Sequence, residues 1–214
     1  MTVLLTGFEP FEGAASNPSW DAVSLLSGVT IAGRQVVARP LPVSFARAAA
    51  SLEAAVDEVR PTVLISVGLA GGRPGISLER VAINVDDARI ADNDGARPVD
   101  AAVAADGPAA YFSTLPVKAI LRDLMAAGIP ASVSQTAGTF VCNHVFYAGR
   151  HLAERHFPAM RVGFVHVPYA PADAARHPGA PSMSVETVAA ALRIGVATTL
   201  ATDTDALIAA GATH

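Results

Sequence analysis

The apolar positions fall into two rhythms. Val3 to Thr6, Val63 to Val67 and Arg161 to Pro168 are short, nearly continuous apolar runs, and they predict strands buried on both faces. Val29 to Ala32 and Gln35 to Leu41 predict two strands around Gly33, Leu78 to Val85 alternates as a strand does, and Ala131 to Ser134 is a further short strand. Between these runs the period lengthens. Trp20, Val23 and Leu26 follow Asn17-Pro18, which reads as an N-cap and a helix-starting proline. Ser44 caps a predicted helix to about Val59 with Pro61 as its stop, Pro116 to Ala127 predicts a helix ended by Gly128, and Ser184 caps a last helix through about Leu200.

Strands alternate with helices, and no repeat, linker or break in composition divides them. The expectation is a single α/β domain over residues 1–214. Its architecture is a three-layer α/β/α sandwich with a twisted mixed central sheet, covered by helices on both faces, and a hairpin insertion. The stretch Asp86 to Ala109 is polar, with a turn at Asp92-Asn93-Asp94-Gly95, and reads as a lid or an interface arm. Active sites of such sheets lie at the carboxyl ends of the strands. Phe8, Gly68, Cys142 and His166 all fall near predicted strand ends.

Cys142, the single cysteine of the chain, follows the strand Ala131–Ser134 and a small-residue turn, Thr136-Ala137-Gly138-Thr139. Beyond it Val145, Phe146, Gly149, Leu152 and Ala153 recur at helical spacing, with Asn143, Tyr147, Arg150, His151 and Glu154 on the other faces. Cys142 therefore belongs to the first turn of a helix, where free N–H groups and the helix dipole favour a thiolate. A lone cysteine is also often a small buried hydrophobe. His166, near a strand end, is either a satisfied core residue or a base, and the other five histidines, His144 among them, are expected at the surface. Glu79 usually would face solvent in such a strand; turned into a cleft it needs a cationic partner. Phe8 and Phe11 in the first loop serve equally as core anchors or as ligand contacts.

Composition narrows the classes. Hydrophobic residues make up 51% and charged residues 16%, which fits a compact globular chain. A net charge of -4 with no basic cluster argues against nucleic acid. One cysteine excludes an intramolecular disulfide and a cysteine-based zinc site, and fits a reducing compartment. The segment Met1 to Gly7 lacks a signal peptide's basic flank and cleavage site, and Val188 to Ala201 is too short to span a bilayer, so a soluble cytoplasmic protein is expected.

Four segments then read together: Gly7-Phe8-Glu9-Pro10-Phe11 with Asn17-Pro18-Ser19; Gly68 to Gly72 with Glu79-Arg80-Val81-Ala82-Ile83-Asn84; Thr136 to His144; and Val165-His166-Val167-Pro168. In their order and spacing the chain resembles the pyroglutamyl-peptidase I (pyrrolidone-carboxylate peptidase) family over nearly its whole length. The resemblance implies a phosphorylase/hydrolase-like fold and a thiol protease of the omega-peptidase kind, which removes an N-terminal pyroglutamyl residue. It implies a triad of Glu79, Cys142 and His166, a pocket of Phe8, Phe11, Asn17, Ile90, Phe140 and Val141, and Arg89 close to the nucleophile. It further implies pyroglutamyl peptides as substrates, a cytoplasmic homotetramer, and no metal or other cofactor. Leu69 stands where the family usually has glutamine, and Glu12 where it usually has glycine. The competing classes are a catalytically silent small-molecule or peptide binder on the same scaffold, and an enzyme such as a nucleoside phosphorylase, for which no convincing basic cluster is present.

Overall fold

A computed structural model describes residues 2–211; Met1 and residues 212–214, including His214, lie outside the described residues. The elements in chain order are β1 (Thr2–Phe8), α1 (Pro18–Ser24), β2 (Thr30–Ile31), β3 (Arg34–Leu41), α2 (Ala48–Val59), β4 (Val63–Leu69), β5 (Ile76–Glu79), β6 (Val81–Ile83), β7 (Ala110–Phe112), α3 (Val117–Ala126), β8 (Ala131–Ser134), α4 (Val141–His156), β9 (Arg161–Val167), α5 (Pro171–Ala174) and α6 (Val185–Ala201). Seven strands form the central sheet in the order β2-β3-β1-β4-β9-β5-β8. The sheet is mixed: β1 is parallel to β3 and β4, and β4 to β9, while β5 runs antiparallel to β9 and β2 antiparallel to β3.

Alternation along the buried strands divides the core into two layers. Val3, Leu5, Ile65 and Val165 face a cluster shared with residues of α1, α3 and α6. Leu4, Leu64 and Phe164 face the opposite cluster with residues of α2 and α4. The sandwich expected from the pattern is therefore present, with strands hydrophobic on both faces because both faces are covered.

Asn17 caps α1, its Oδ1 accepting from the Ser19 amide, and Ser184 caps α6 by accepting from the Thr187 amide. The second helix departs from expectation. Ser44 accepts a hydrogen bond from the Arg47 amide, but regular helix begins only at Ala48. The alternating run Leu78–Val85 also proves to be two strands. It leaves the main sheet at Arg80, whose amide bonds to the Ser134 carbonyl and whose carbonyl accepts from the Ser113 amide, and β6 then pairs with β7 in a separate hairpin. Between β9 and α6 the short helix α5 forms.

The largest correction concerns α4. Asn143, Tyr147 and Arg150, expected on the faces away from its apolar stripe, are buried, and so is His144, expected at the surface. The insertion covers that side of the helix, and its backbone satisfies their polar atoms. Asn143 accepts from the Ile83 amide and donates to the carbonyls of Ile83 and Val85, Tyr147 donates to the Pro108 carbonyl, and Arg150 donates to the Phe112 carbonyl. His144 Nδ1 lies 2.8 Å from Asp86 Oδ2. No helix among the described residues is long and apolar enough to cross a membrane.

Candidate active site

β4 and β9 are neighbours, and Gly68 pairs in register with His166 near their carboxyl ends. A Cβ on Gly68 would stand 2.7 Å from Cys142 Sγ and 2.9 Å from Phe164 Cζ. The sulfur thus occupies the space that a side chain at position 68 would fill, over the strand pair that carries His166. Close approach of backbone to a side chain is the reason for glycine here. His166 Nδ1 lies 2.7 Å from Glu79 Oε1, which leaves Nε2 as the ring nitrogen free of that contact. Glu79, expected either in solvent or with a cation, has no exposed surface, and its cation is Arg73, with Nη1 2.6 Å from the same Oε1.

Cys142 is the second residue of α4. The first bond of the helix runs from the His144 amide to the Phe140 carbonyl, so the amides of Val141, Cys142 and Asn143 have no intrahelical acceptor. The position matches the expectation; the electrostatics differ. Burial, the largest effect, and then the Glu79 carboxylate push the thiol up to about 12, against the opposing influence of Arg73. Burial also lowers His166 below the ordinary histidine value, against the raising influence of Glu79. At neutral pH the resting pair is therefore a thiol and a neutral imidazole. As a residue Cys142 is only half-buried.

The expected pocket residues divide. Phe11 and Phe140 are half-buried, with ring centroids 5.5 Å apart, and Phe45, which the sequence did not single out, meets Phe140 edge-on at 5.3 Å. Phe8 and Val141 are core residues, Phe8 packing on Phe164. The Asn17 amide is engaged within its own loop, accepting from Ser19 and donating to the Glu9 carbonyl. Phe11, Asn17 and Leu69 line a cavity of about 550 Å³ that runs to Tyr169. Ile90 and Arg89 are exposed. They lie on the arm between two anchors: Asp87 and Thr139 exchange two hydrogen bonds, and Asn93 bonds to the carbonyls of Val43 and Pro10. The arm thus joins the turn before Cys142 to the first loop. Within that loop Glu12 has φ 52°, the left-handed conformation that suits the family's usual glycine. Among the described residues no group of three or more His, Cys, Asp or Glu is arranged to hold a metal ion.

Sequence reasoning missed Arg73, Asn143 and Asp86. Arg73 had a usable signal, because a buried Glu79 requires a cation and Arg73 closes the glycine turn six residues before it. Asn143 and Asp86 had none, since their partners are backbone groups and a histidine far along the chain.

The family model for pyroglutamyl peptidases matches residues 1–202. The chain belongs to the pyroglutamyl peptidase family. It is 58% identical over 215 residues to the pyrrolidone-carboxylate peptidase of Cupriavidus taiwanensis, covering 100% of this chain and 99% of the relative. It is 55% identical over 213 residues to the pyrrolidone-carboxylate peptidase of Escherichia fergusonii, with 100% and 99% covered. The crystal structure of pyroglutamyl peptidase I from Bacillus amyloliquefaciens superposes with a TM-score of 0.95 at 44% identity, covering 97% of this chain and 99% of that one. A mutant pyrrolidone carboxyl peptidase from the hyperthermophile Pyrococcus furiosus gives 0.91 at 42% identity, with 94% and 99% covered.

Proposed function

We propose that this family member is a cysteine omega peptidase that hydrolyses the bond after an N-terminal pyroglutamyl residue, with Cys142 as nucleophile, His166 as base and acid, and Glu79 as the group that orients the imidazole. The observation that carries this reading is the contact of His166 Nδ1 with buried Glu79 while its strand partner Gly68 lies under the cysteine sulfur. The relatives' names supply the substrate class.

The neutral resting pair defines the proton path. Sγ attacks the pyroglutamyl carbonyl as His166 Nε2 takes the thiol proton, giving a tetrahedral intermediate and an imidazolium. The adjacent Glu79 carboxylate stabilises that imidazolium. The free amides at the start of α4, that of Cys142 among them, are the oxyanion donors, with Arg89 close to the nucleophile as a further one; a donor of this kind is worth ~3 kcal/mol in the transition state. The imidazolium then protonates the leaving nitrogen, the C–N bond breaks, and a thioester remains. Water attacks the thioester, giving one proton to His166; the C–S bond breaks, and that proton returns to sulfur.

Phe11 and Phe140 offer apolar faces to the flat lactam, with Phe8, Val141, Ile90 and the segment of Asn17 completing its pocket. A pocket without a counter-charge rejects an ordinary N-terminal ammonium, since burying an unpaired charge costs several kcal/mol. The same reading carries one catalytic domain over residues 1–214, and a cytoplasmic homotetramer that uses neither metal nor cofactor.

The test is release of a fluorogenic amine from a pyroglutamyl amide, beside the matching prolyl and glutamyl amides, with and without iodoacetamide. Pyroglutamyl-selective release that alkylation stops, and that Cys142→Ala loses while its circular dichroism stays unchanged, is the expected result. Turnover by a pure Cys142→Ala sample would remove Cys142 as nucleophile.

A further inference from the structure

Glu79 is enclosed on all sides, yet both of its neighbours crowd one oxygen. Oε1 receives Arg73 Nη1 at 2.6 Å and stands 2.7 Å from His166 Nδ1, while Oε2 is buried without a partner. The guanidinium reaches further. Nη1 lies 3.4 Å from Ser134 Oγ, and Nη2 donates to the Thr136 carbonyl at 3.3 Å. Ser134 ends β8, and Thr136 belongs to the turn that leads into Cys142. On the other side, the turn that bears Arg73 is fixed to β9 by the Ala70 amide, which donates to the carbonyl of Val167, the residue after His166. Gly71 in that turn faces the ring of Tyr169, which leaves no room for a Cβ. One side chain therefore touches the carboxylate and the approach to the nucleophile, from a turn anchored beside the histidine.

Resting on the triad reading above, we propose that Arg73 is a positioning residue of this peptidase: it supplies the counter-charge of the buried Glu79 and ties that carboxylate to the turn leading into Cys142, so that imidazole and thiol are held in register. A fully enclosed carboxylate without a cation is neutralised or displaced. His166 is neutral at rest and cannot provide that charge. Arginine suits the task because its planar fork engages several acceptors at once, which the point charge of a lysine does not.

The charged groups facing His166 are Glu79 on β5 and Arg73 in the turn before it, with the Cys142 thiol above from α4. Glu79 raises the pKa of the imidazole and Arg73 lowers it, the influence of Glu79 being the larger. This gives a readout that a merely structural ion pair would not move. If Arg73 sustains Glu79 as an anion, Arg73→Met removes both influences together, and the acid limb of the kcat/KM profile moves to lower pH, as in Glu79→Gln. If Arg73 is only a nearby charge, its removal leaves Glu79 in force and the limb moves up.

The experiment measures kcat, KM and pH profiles on the pyroglutamyl amide for Arg73→Met, Arg73→Lys, Glu79→Gln and the double variant Arg73→Met/Glu79→Gln. Arg73→Met is expected to lower kcat about 100-fold, the low end of what a positioned base contributes, with KM within about threefold. Its acid limb moves down, and adding it to Glu79→Gln changes kcat less than about threefold, because both act through one carboxylate. Arg73→Lys keeps the limb near the parent's and loses about tenfold in kcat, the charge being kept and the fork lost. An unchanged kcat in Arg73→Lys, an upward limb in Arg73→Met, or a full multiplicative loss in the double variant each overturns the proposal; the lysine arm decides alone where the methionine variant does not fold. Undiminished kcat in Glu79→Gln is a separate failure, since it removes the carboxylate from the mechanism itself.

Discussion

At the scale of single residues, the geometry around Cys142 leaves little slack. Gly68→Ala puts a methyl group 2.7 Å from the sulfur, with Phe164 blocking relief on its far side. A displaced nucleophile is expected to cost kcat about 100-fold. Overpacking should cost about 1–3 kcal/mol of stability. Urea unfolding beside steady-state kinetics separates the two effects, and a normal kcat would mean that the thiol can shift freely. The acid limb of the parent enzyme is a second check. Burial depresses His166, so the imidazole remains neutral below the usual range, and activity is kept as pH falls until that lowered value is reached. The midpoint of the kcat/KM limb should therefore lie below ~6.5. A midpoint above that value would mean that Glu79 outweighs burial.

At the scale of elements, α4 does two jobs, presenting Cys142 at its start and holding the insertion along its side. Asn143 makes three hydrogen bonds to the backbone at the end of β6 and just beyond it, so Asn143→Ala strands several buried groups and should cost about 3 kcal/mol in urea unfolding. A loss under 1 kcal/mol on that scale would show that water replaces the amide. The start of α3 has no side-chain cap of its own, and Asp205 supplies one from beyond α6, accepting from the amides of Lys118 and Ala119. Asp205→Ala is expected to lower the unfolding free energy by about 1 kcal/mol, and no change in a denaturation midpoint would discount the cap. These two features mark the limit of what the sequence expresses. Strands buried on both faces, helices with Asn17 or Ser184 at their start, and the turn before Cys142 all leave local signatures in residue type and period. The burial of Asn143, Tyr147 and Arg150 leaves none, because polar residues at helical spacing look alike whether water or another segment's backbone satisfies them. The break at Arg80 is silent for a related reason, since both halves of Leu78–Val85 keep a strand's alternation and only their partners differ. Cys142 could be located on its helix from sequence, but its protonation depends on walls built by Gly68, Phe164 and Glu79.

At the scale of the whole molecule, the candidate site collects side chains from β4, β5, α4 and β9 and from the turn between the first two. In sequence β4 and β5 are consecutive strands, yet in the sheet β9 lies between them. The central gap is therefore closed by a strand that begins at residue 161. This arrangement has a consequence in time. A chain emerging from the ribosome has already exposed Cys142 and Glu79 while the slot between β4 and β5 is still open. Until β9 enters, the sheet is two pieces, Gly68 has no partner at its edge, and the thiol has no imidazole. The triad proposed above is therefore complete only when the last strand of the sheet arrives.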